Sequence, residues 1–169
     1  MLSRPDVRVL FCGIVCVFFG LSCHGYHLKD QAPVSLAKEY RSLFIVSVEN
    51  PTMKPWLDAR LRASVRDEFT RRGKIQWVSK DRAAAYLKIK VHDFSSNTSV
   101  SGSKDETIKS AAGIDLEAWI VSQKDGSVLW RSNRVSAGQS FLTGGRDQAE
   151  ARVLDLAVRE LADRLGWDF

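Results

Sequence analysis

Residues 85–94 read AYLKIKVHDF, a stretch in which apolar and polar side chains alternate. Leu87, Ile89 and Val91 fall on one side of an extended chain, and the lysines between them fall on the other. A period of two predicts a β-strand with one buried and one exposed face. Such a strand needs a second layer over its apolar face, so we expect the rest of the chain to supply one.

Two amphipathic helices are predicted to form that layer. The first runs from about Pro55 to Arg72 and is ended by Gly73, a residue type common just after helices. The second runs from about Asp147 to Leu165. The apolar residues of the first helix recur every four positions, at Leu57, Leu61, Val65 and Phe69.

Four further stretches complete the predicted sheet. Residues 43–48, 74–79, 112–123 and 128–136 are short, rich in β-branched or aromatic residues, and bounded by turn signals. Residues 95–111 are polar and read either as a long hairpin loop or as a strand extension. The element order β-α-β-β-β-β-α predicts an α+β fold. We expect a two-layer sandwich, with a mostly antiparallel sheet of about five strands and two helices on one face.

The N-terminus has the features of an export signal. Positive residues precede an apolar run over residues 9–21, which is too short to span a bilayer and ends at Ser22 and Cys23. A small residue before a cysteine is typical of bacterial lipoprotein processing. We therefore predict a signal peptide at residues 1–22, a lipidated tether at 23–41 and a single domain at 42–169. The alternative is an ordinary signal peptide that leaves Cys23 as a free thiol.

Cysteine and charge content restrict the possible functions. Cys12 and Cys16 lie inside the predicted signal, so only Cys23 remains, and the mature chain holds no disulfide framework, zinc cluster or redox pair. The chain has a formal net charge of +5. An exported basic protein rarely meets nucleic acid, so lipopolysaccharide or anionic lipid is the expected polyanion. A merely soluble basic surface is the alternative.

No catalytic, metal or cofactor motif is present. His92 is the one histidine in the predicted domain, and no Gly-x-Ser-x-Gly elbow accompanies it. The glycine pair before the second helix lacks the lysine and hydroxyl residue of a phosphate loop. The chain is therefore predicted not to be an enzyme.

The polar side of residues 85–94 is the candidate binding site. Alternation places Tyr86, Lys88, Lys90 and His92 together on the face that the helices leave open. Two ammonium groups beside aromatic surface suit the phosphates and acyl chains of lipid A, and Trp119 on a neighbouring strand would extend the site. The alternative is that these lysines only keep an exposed sheet soluble.

The chain resembles the lipopolysaccharide-assembly lipoproteins of the LptE family. Five features carry the resemblance in order along nearly the whole mature chain. They are Cys23 with residues 25–28, residues 44–50, the helix ending in EFTRRG at 68–73, GSVLWR at 126–131 and the late Ala/Leu/Arg helix. The resemblance implies an outer-membrane lipoprotein, anchored by acyl chains such as palmitate on the periplasmic side. It also implies a plug for a β-barrel partner, LptD, that helps the barrel assemble and binds lipopolysaccharide.

Two other classes remain open from the residues alone. One is a lipoprotein adaptor or pilotin of another envelope assembly machine. The other is an unrecognised periplasmic hydrolase that would depend on His92. The loop cations Lys104 and Lys109 are the next candidates for lipid binding if the strand face fails.

Overall fold

A six-stranded sheet carries two α-helices on one face. The structure is a computed structural model that describes residues 36–73, 75–99, 109–142 and 144–166. The strands are β1 (Ser42–Glu49), β2 (Gln76–Trp77), β3 (Ala85–Ser99), β4 (Lys109–Ser122), β5 (Val128–Arg131) and β6 (Val135–Phe141). The helices are α1 (Trp56–Arg71) and α2 (Arg146–Gly166). The predicted α+β class is confirmed.

Several predictions concern residues outside the described ranges. These are the signal peptide at 1–22, acylation of Cys23, most of the tether and the lipid-binding role of Lys104. Lys109 opens β4, but its side chain is not described. The last residues before β1 are described and pack on the domain, since Leu36 is only 3% exposed and belongs to its hydrophobic core.

The sheet is mixed: most of its strand pairings are antiparallel, as predicted, but β1 makes parallel ones. Its order is β2-β1-β3-β4-β5, and β6 also pairs with β4. β1 runs parallel to both of its neighbours, β2 and β3. The other pairings, β3 with β4 and β4 with β5 and β6, are antiparallel. The parallel pairs arise because α1 crosses over the sheet between β1 and β2, returning the chain to the end from which β1 started.

The β3–β4 hairpin is longer than the alternation indicates. Of the two alternatives for residues 95–111, strand extension is correct for 95–99 and 109–111, which pair with each other. A register shift lies between Val91 and Asp93. Because of this shift His92 has no register partner on β4, and the residues that follow it change faces. The Phe94 side chain therefore lies in the core, where it is 6% exposed.

The predicted last strand is interrupted. β5 and β6 both pair with β4, but Ser132 to Arg134 break the ladder and Asn133 adopts a left-handed φ of 57°. Arg164 of α2 stabilises the break, because its Nη1 donates to the carbonyl oxygens of Ser132 at 2.5 Å and Arg134 at 3.0 Å. The single strand predicted from residue 128 to about 136 is therefore two strands, and the second of them continues to Phe141.

Both helices cover the apolar face as expected. Leu57, Leu61, Val65 and Phe69 are all buried. Gly73 ends α1 with φ +67° and donates its N–H to the Thr70 carbonyl at 2.8 Å, a conformation that costs glycine little. The buried stripe of α2 meets β4 and β6.

The charged side of α1 is not simply solvated. Glu68 is 8% exposed and accepts from Arg71 and Arg72. Arg72 also donates to Asp163 of α2 at 2.9 Å, so it joins the two helices. Burial alone would raise the pKa of Glu68, but the bonds and charges of the two arginines outweigh it and the pKa is lowered.

Candidate lipid and partner binding face

The sheet face opposite the helices is the candidate functional surface. Inward residues such as Leu87 and Ile89 are buried with the helices, whereas Tyr86 and Lys88, which alternate with them along β3, are only half-buried. The strand register arranges the outward residues in four rows across the sheet. These rows change from apolar to acidic along the direction of β3.

The first row is aromatic and aliphatic. Phe44, Tyr86, Val121 and Val128 are cross-strand partners on β1, β3, β4 and β5. Val128 is 58% exposed at the open side. The Tyr86 hydroxyl donates to the Lys80 carbonyl at 3.3 Å, so its ring keeps an apolar face toward solvent while its polar atom is satisfied.

The second row combines a cation, an indole and a guanidinium. Lys88 lies between Ser47 and Trp119, and Trp119 lies between Lys88 and Arg131. The Arg131 guanidinium carbon is 5.8 Å from the centre of the Trp119 ring, within cation–π distance. Two cations therefore flank one half-buried aromatic ring, an arrangement suited to an anionic head group attached to an apolar body.

The third row is more nearly neutral. Lys90 pairs with Glu49 on one side and Glu117 on the other. Glu117 also lies 3.4 Å from His92 Nε2 and 3.4 Å from Arg131 Nε. Because two carboxylates border Lys90, its charge is less available to an external anion than that of Lys88.

The fourth row is acidic. Asp93 and Asp115 are direct cross-strand partners beyond the register shift. Like charges directly opposite each other destabilise a strand pair, so this end of the face repels anions. Within the described ranges, no group of three or more His, Cys, Asp or Glu side chains could hold a metal ion.

The structure brings the four predicted residues, Tyr86, Lys88, Lys90 and His92, onto one open face, but not into one environment. Lys88 lies beside Trp119, whereas Lys90 and His92 lie against Glu117. Sequence reasoning missed Phe44 and Arg131. The alternation of β1 could have indicated Phe44, but the pairing of Arg131 with Trp119 depends on strand register, which the sequence pattern does not supply.

A family model described as LptE, lipopolysaccharide-assembly, matches residues 40–167. The chain belongs to the LptE family. This match covers both helices and all six strands, so the resemblance found in the sequence is confirmed. No protein in the curated comparison matches the chain.

Solved structures share the LptE-family chain's fold at low sequence identity. A minor lipoprotein from Acinetobacter baumannii is 14% identical, with a TM-score of 0.50, over 75% of this chain and 93% of that chain. A lipoprotein from Neisseria meningitidis is 12% identical, with a TM-score of 0.51, over 72% of this chain and 97% of that chain. At these identities the likeness establishes the fold alone.

The helices of this LptE-family domain are not membrane spans. Among the described residues, neither helix combines the length and the apolar character needed to cross a bilayer.

Proposed function

We propose that this chain is an outer-membrane lipoprotein, acylated at Cys23, that binds lipopolysaccharide and a β-barrel partner of the LptD type. Membership of the LptE family supports the general role. The open sheet face supports the binding roles, because it carries aromatic and cationic side chains that no described element covers. The proposed role is non-enzymatic: the face would bind and position, without bond-breaking chemistry.

The row of Lys88, Trp119 and Arg131 carries the lipopolysaccharide proposal. Lipid A presents phosphates beside acyl chains and sugars. Lys88 and Arg131 would contact a phosphate as a point charge and a planar fork of donors, while the indole between them packs on the apolar part. Lys90 and His92 would contribute less, because both already face Glu117.

The row of Phe44, Tyr86, Val121 and Val128 carries the partner proposal. Phe44 and Tyr86 are half-buried and Val128 is 58% exposed, while Val121 between them is only 7% exposed. Three partly open apolar side chains around a buried fourth are more than the scattered apolar residues of an ordinary surface. We assign this row to the barrel partner. The lipid-binding row lies next to it, so lipid delivered to the barrel would meet both surfaces.

Charge reversal tests the lipid proposal. We expect Lys88→Glu to weaken lipopolysaccharide binding by at least about tenfold, the equivalent of one lost charge-assisted contact and one new repulsion, and more at low salt. Lys90→Glu should have a smaller effect, and the double variant should be the weakest. Arg60→Glu, on the exposed side of α1, changes the net charge equally and should bind as the parent does.

Binding should be measured with purified lipopolysaccharide at two salt concentrations, with circular dichroism as the check on folding. A folded Lys88→Glu, Lys90→Glu double variant that binds as tightly as the parent would rule out this face as the lipid site.

Co-purification tests the partner proposal. Mild detergent extraction of outer membranes, followed by mass spectrometry, should recover one large β-barrel with the chain. Phe44→Asp should reduce that recovery, because it places a charge in the apolar row without changing the cationic row. Recovery of a different envelope machine in place of a barrel would favour the adaptor or pilotin role and overturn the plug.

A further inference from the structure

In the part of the chain that the structure describes, nothing protects the outer edge of β6. Among the described strands β6 pairs only with β4, and residues 135–141 read VSAGQSF, without a charge or a proline. Monomeric proteins protect sheet edges with charges, prolines, bulges or very short strands. The opposite edge of this sheet follows that rule, since β2 has two residues and the indole of Trp77 is bonded back to α1 through Thr70 Oγ1 at 3.2 Å.

Two exposed leucines border this edge. Leu142 directly follows β6 and is 57% exposed, and Leu156 of α2 is 43% exposed. Arg152 lines a groove with residues 139–142, and Arg164 contacts the backbone at the start of β6. Residues spaced by four lie on one side of a helix, so Arg152, Leu156 and Arg164 lie on the same side of α2. Leu156 lies between the two arginines and therefore beside the middle of β6.

The sequence of β6 is complementary to itself. An antiparallel two-fold axis at Gly138 places Ser136 opposite Ser140 of the second copy on the outer face. On the helix side it places Val135 opposite Phe141 of the second copy. Hydroxyl groups therefore meet hydroxyl groups, Val135 meets Phe141, Ala137 meets Gln139, and no like charges face each other. The Ser140 carbonyl accepts from the Gln139 side chain at 2.9 Å, a bond that a pairing strand would replace.

The edge-facing side of α2 is also complementary about the same axis. When Leu156 contacts Leu156 of the second copy, Arg152 lies one helical turn before this contact and Glu160 lies one turn after it. The axis therefore places Arg152 of each copy opposite Glu160 of the other. Glu160 is half-exposed and shares one oxygen with Arg164 at 3.1 Å. It therefore retains acceptor capacity for a second guanidinium.

The spacing of the layers permits both contacts at once. α2 packs on β4 and β6, so its axis lies near the boundary between these strands. With strands about 4.8 Å apart, pairing β6 with its copy separates the two α2 axes by roughly 10 Å, close to the 8–10 Å at which helices pack.

We propose that the chain pairs with a second copy through β6 and α2, forming a continuous sheet across an antiparallel two-fold axis. The proposal does not depend on the lipid and barrel roles, since it uses the strand edge and not the open face. It also gives the exposed leucines a partner.

Cysteine cross-linking tests the register. In the full mature chain in detergent, Gly138→Cys should form a disulfide-linked dimer under mild oxidation, because each residue 138 faces its own copy. A side chain is tolerated there, since a Cβ would meet only the Ala112 carbonyl, at 3.8 Å. Ser136→Cys and Ser140→Cys should each fail alone but cross-link when mixed. The parent chain gives the background from Cys23.

Charge exchange tests the helix contact. We expect Arg152→Glu to raise the dimer dissociation constant at least about tenfold, because the axis then places the new carboxylate opposite Glu160 at two symmetric sites. Combining Arg152→Glu with Glu160→Arg should restore the dissociation constant of the parent. Sedimentation measures both, with thermal unfolding as the check on folding. A parent chain that stays monomeric up to about 100 μM, or equal cross-linking at positions 136, 138 and 140, would overturn the proposal.

Discussion

Glu150 is a carboxylate held almost out of water near the start of α2. Its side chain is 8% exposed and accepts from Lys54 Nζ at 2.6 Å. That ammonium also lies 5.2 Å from the Phe94 ring and 5.8 Å from the Trp56 ring. Burial alone would raise the pKa of Glu150, but hydrogen bonds from Lys54 and Ser96 and the charge of Lys54 outweigh it, and the pKa is lowered. This contact ties the β1–α1 loop to α2.

The lowered pKa predicts acid sensitivity. The folded carboxyl has a pKa below its ordinary value of 4.5, so its stabilisation is fully present above that value and is lost as the pH falls through the folded pKa. We expect Glu150→Gln to lower the free energy of unfolding by about 1–3 kcal/mol at pH 7. Urea unfolding from pH 7 to pH 3 should show this difference shrinking below pH 4.5. A difference that stays constant across that range would contradict the pair.

Leu61 and Phe69 are the test of packing at the residue scale. Both lie in the core, with exposures of 0% and 3%. Truncating either to Ala should lower the free energy of unfolding by about 2–5 kcal/mol, because each leaves a cavity under α1. Met53→Ala, at 97% exposure in the loop before the helix, is the control and should leave the midpoint of urea unfolding unchanged.

At the scale of elements, the periodic stripes were enough to predict the helices and the inward faces of β3 and β4. The period-four spacing from Leu57 to Phe69 and the alternation from Leu87 to Val91 each depend only on local geometry. The parallel pairing of β1 was not predictable in this way, because alternation fixes faces and not neighbours. The burial of Glu68 was missed because it depends on the packing of α2 against α1, whereas its pairing with Arg71 and Arg72, three and four residues further on, is local to α1.

The candidate site was predicted only in part for the same reason. Tyr86, Lys88, Lys90 and His92 follow from one alternating strand. Their separation into a cationic part and a neutral part depends on strand pairing, which brings Glu49 and Glu117 beside Lys90 and brings Arg131 beside Trp119, the neighbour of Lys88. Local pattern therefore identified the face, and register determined which cation on it is available.

One side chain of α2, Arg164, is bonded to the backbone at both ends of the break between β5 and β6. Arg164→Ala would leave the carbonyls of Ser132 and Arg134 without their guanidinium donor. We expect a loss of about 1–3 kcal/mol in the free energy of unfolding, together with faster hydrogen exchange in β5 and β6. Arg159→Ala, an exposed arginine on the same helix, serves as the control. Equal exchange rates in the two variants would show that the break does not need Arg164.

At the scale of the whole molecule, the proposed acyl anchor at Cys23 would decide where the open face can act. Cys23→Ala should abolish incorporation of radiolabelled palmitate and leave an unprocessed or soluble chain, since the predicted acylated residue is lost. Palmitate labelling followed by membrane fractionation measures both outcomes. Ser22→Ala keeps a small residue before the cysteine and should label as the parent does. Normal labelling of Cys23→Ala would contradict the lipoprotein prediction.

The long β3–β4 hairpin has a consequence for the order in which the chain folds. Its two strands are close in sequence, whereas β1 reaches β3 only after α1 and β2 have been spanned, so loop closure opposes the β1–β3 pair. The hairpin should therefore be formed in the transition state and β1 should join afterwards. Ile89→Val and Ile45→Val remove the same methylene from fully buried sites on the two strands. Stopped-flow kinetics should show the first change mainly slowing folding and the second mainly speeding unfolding.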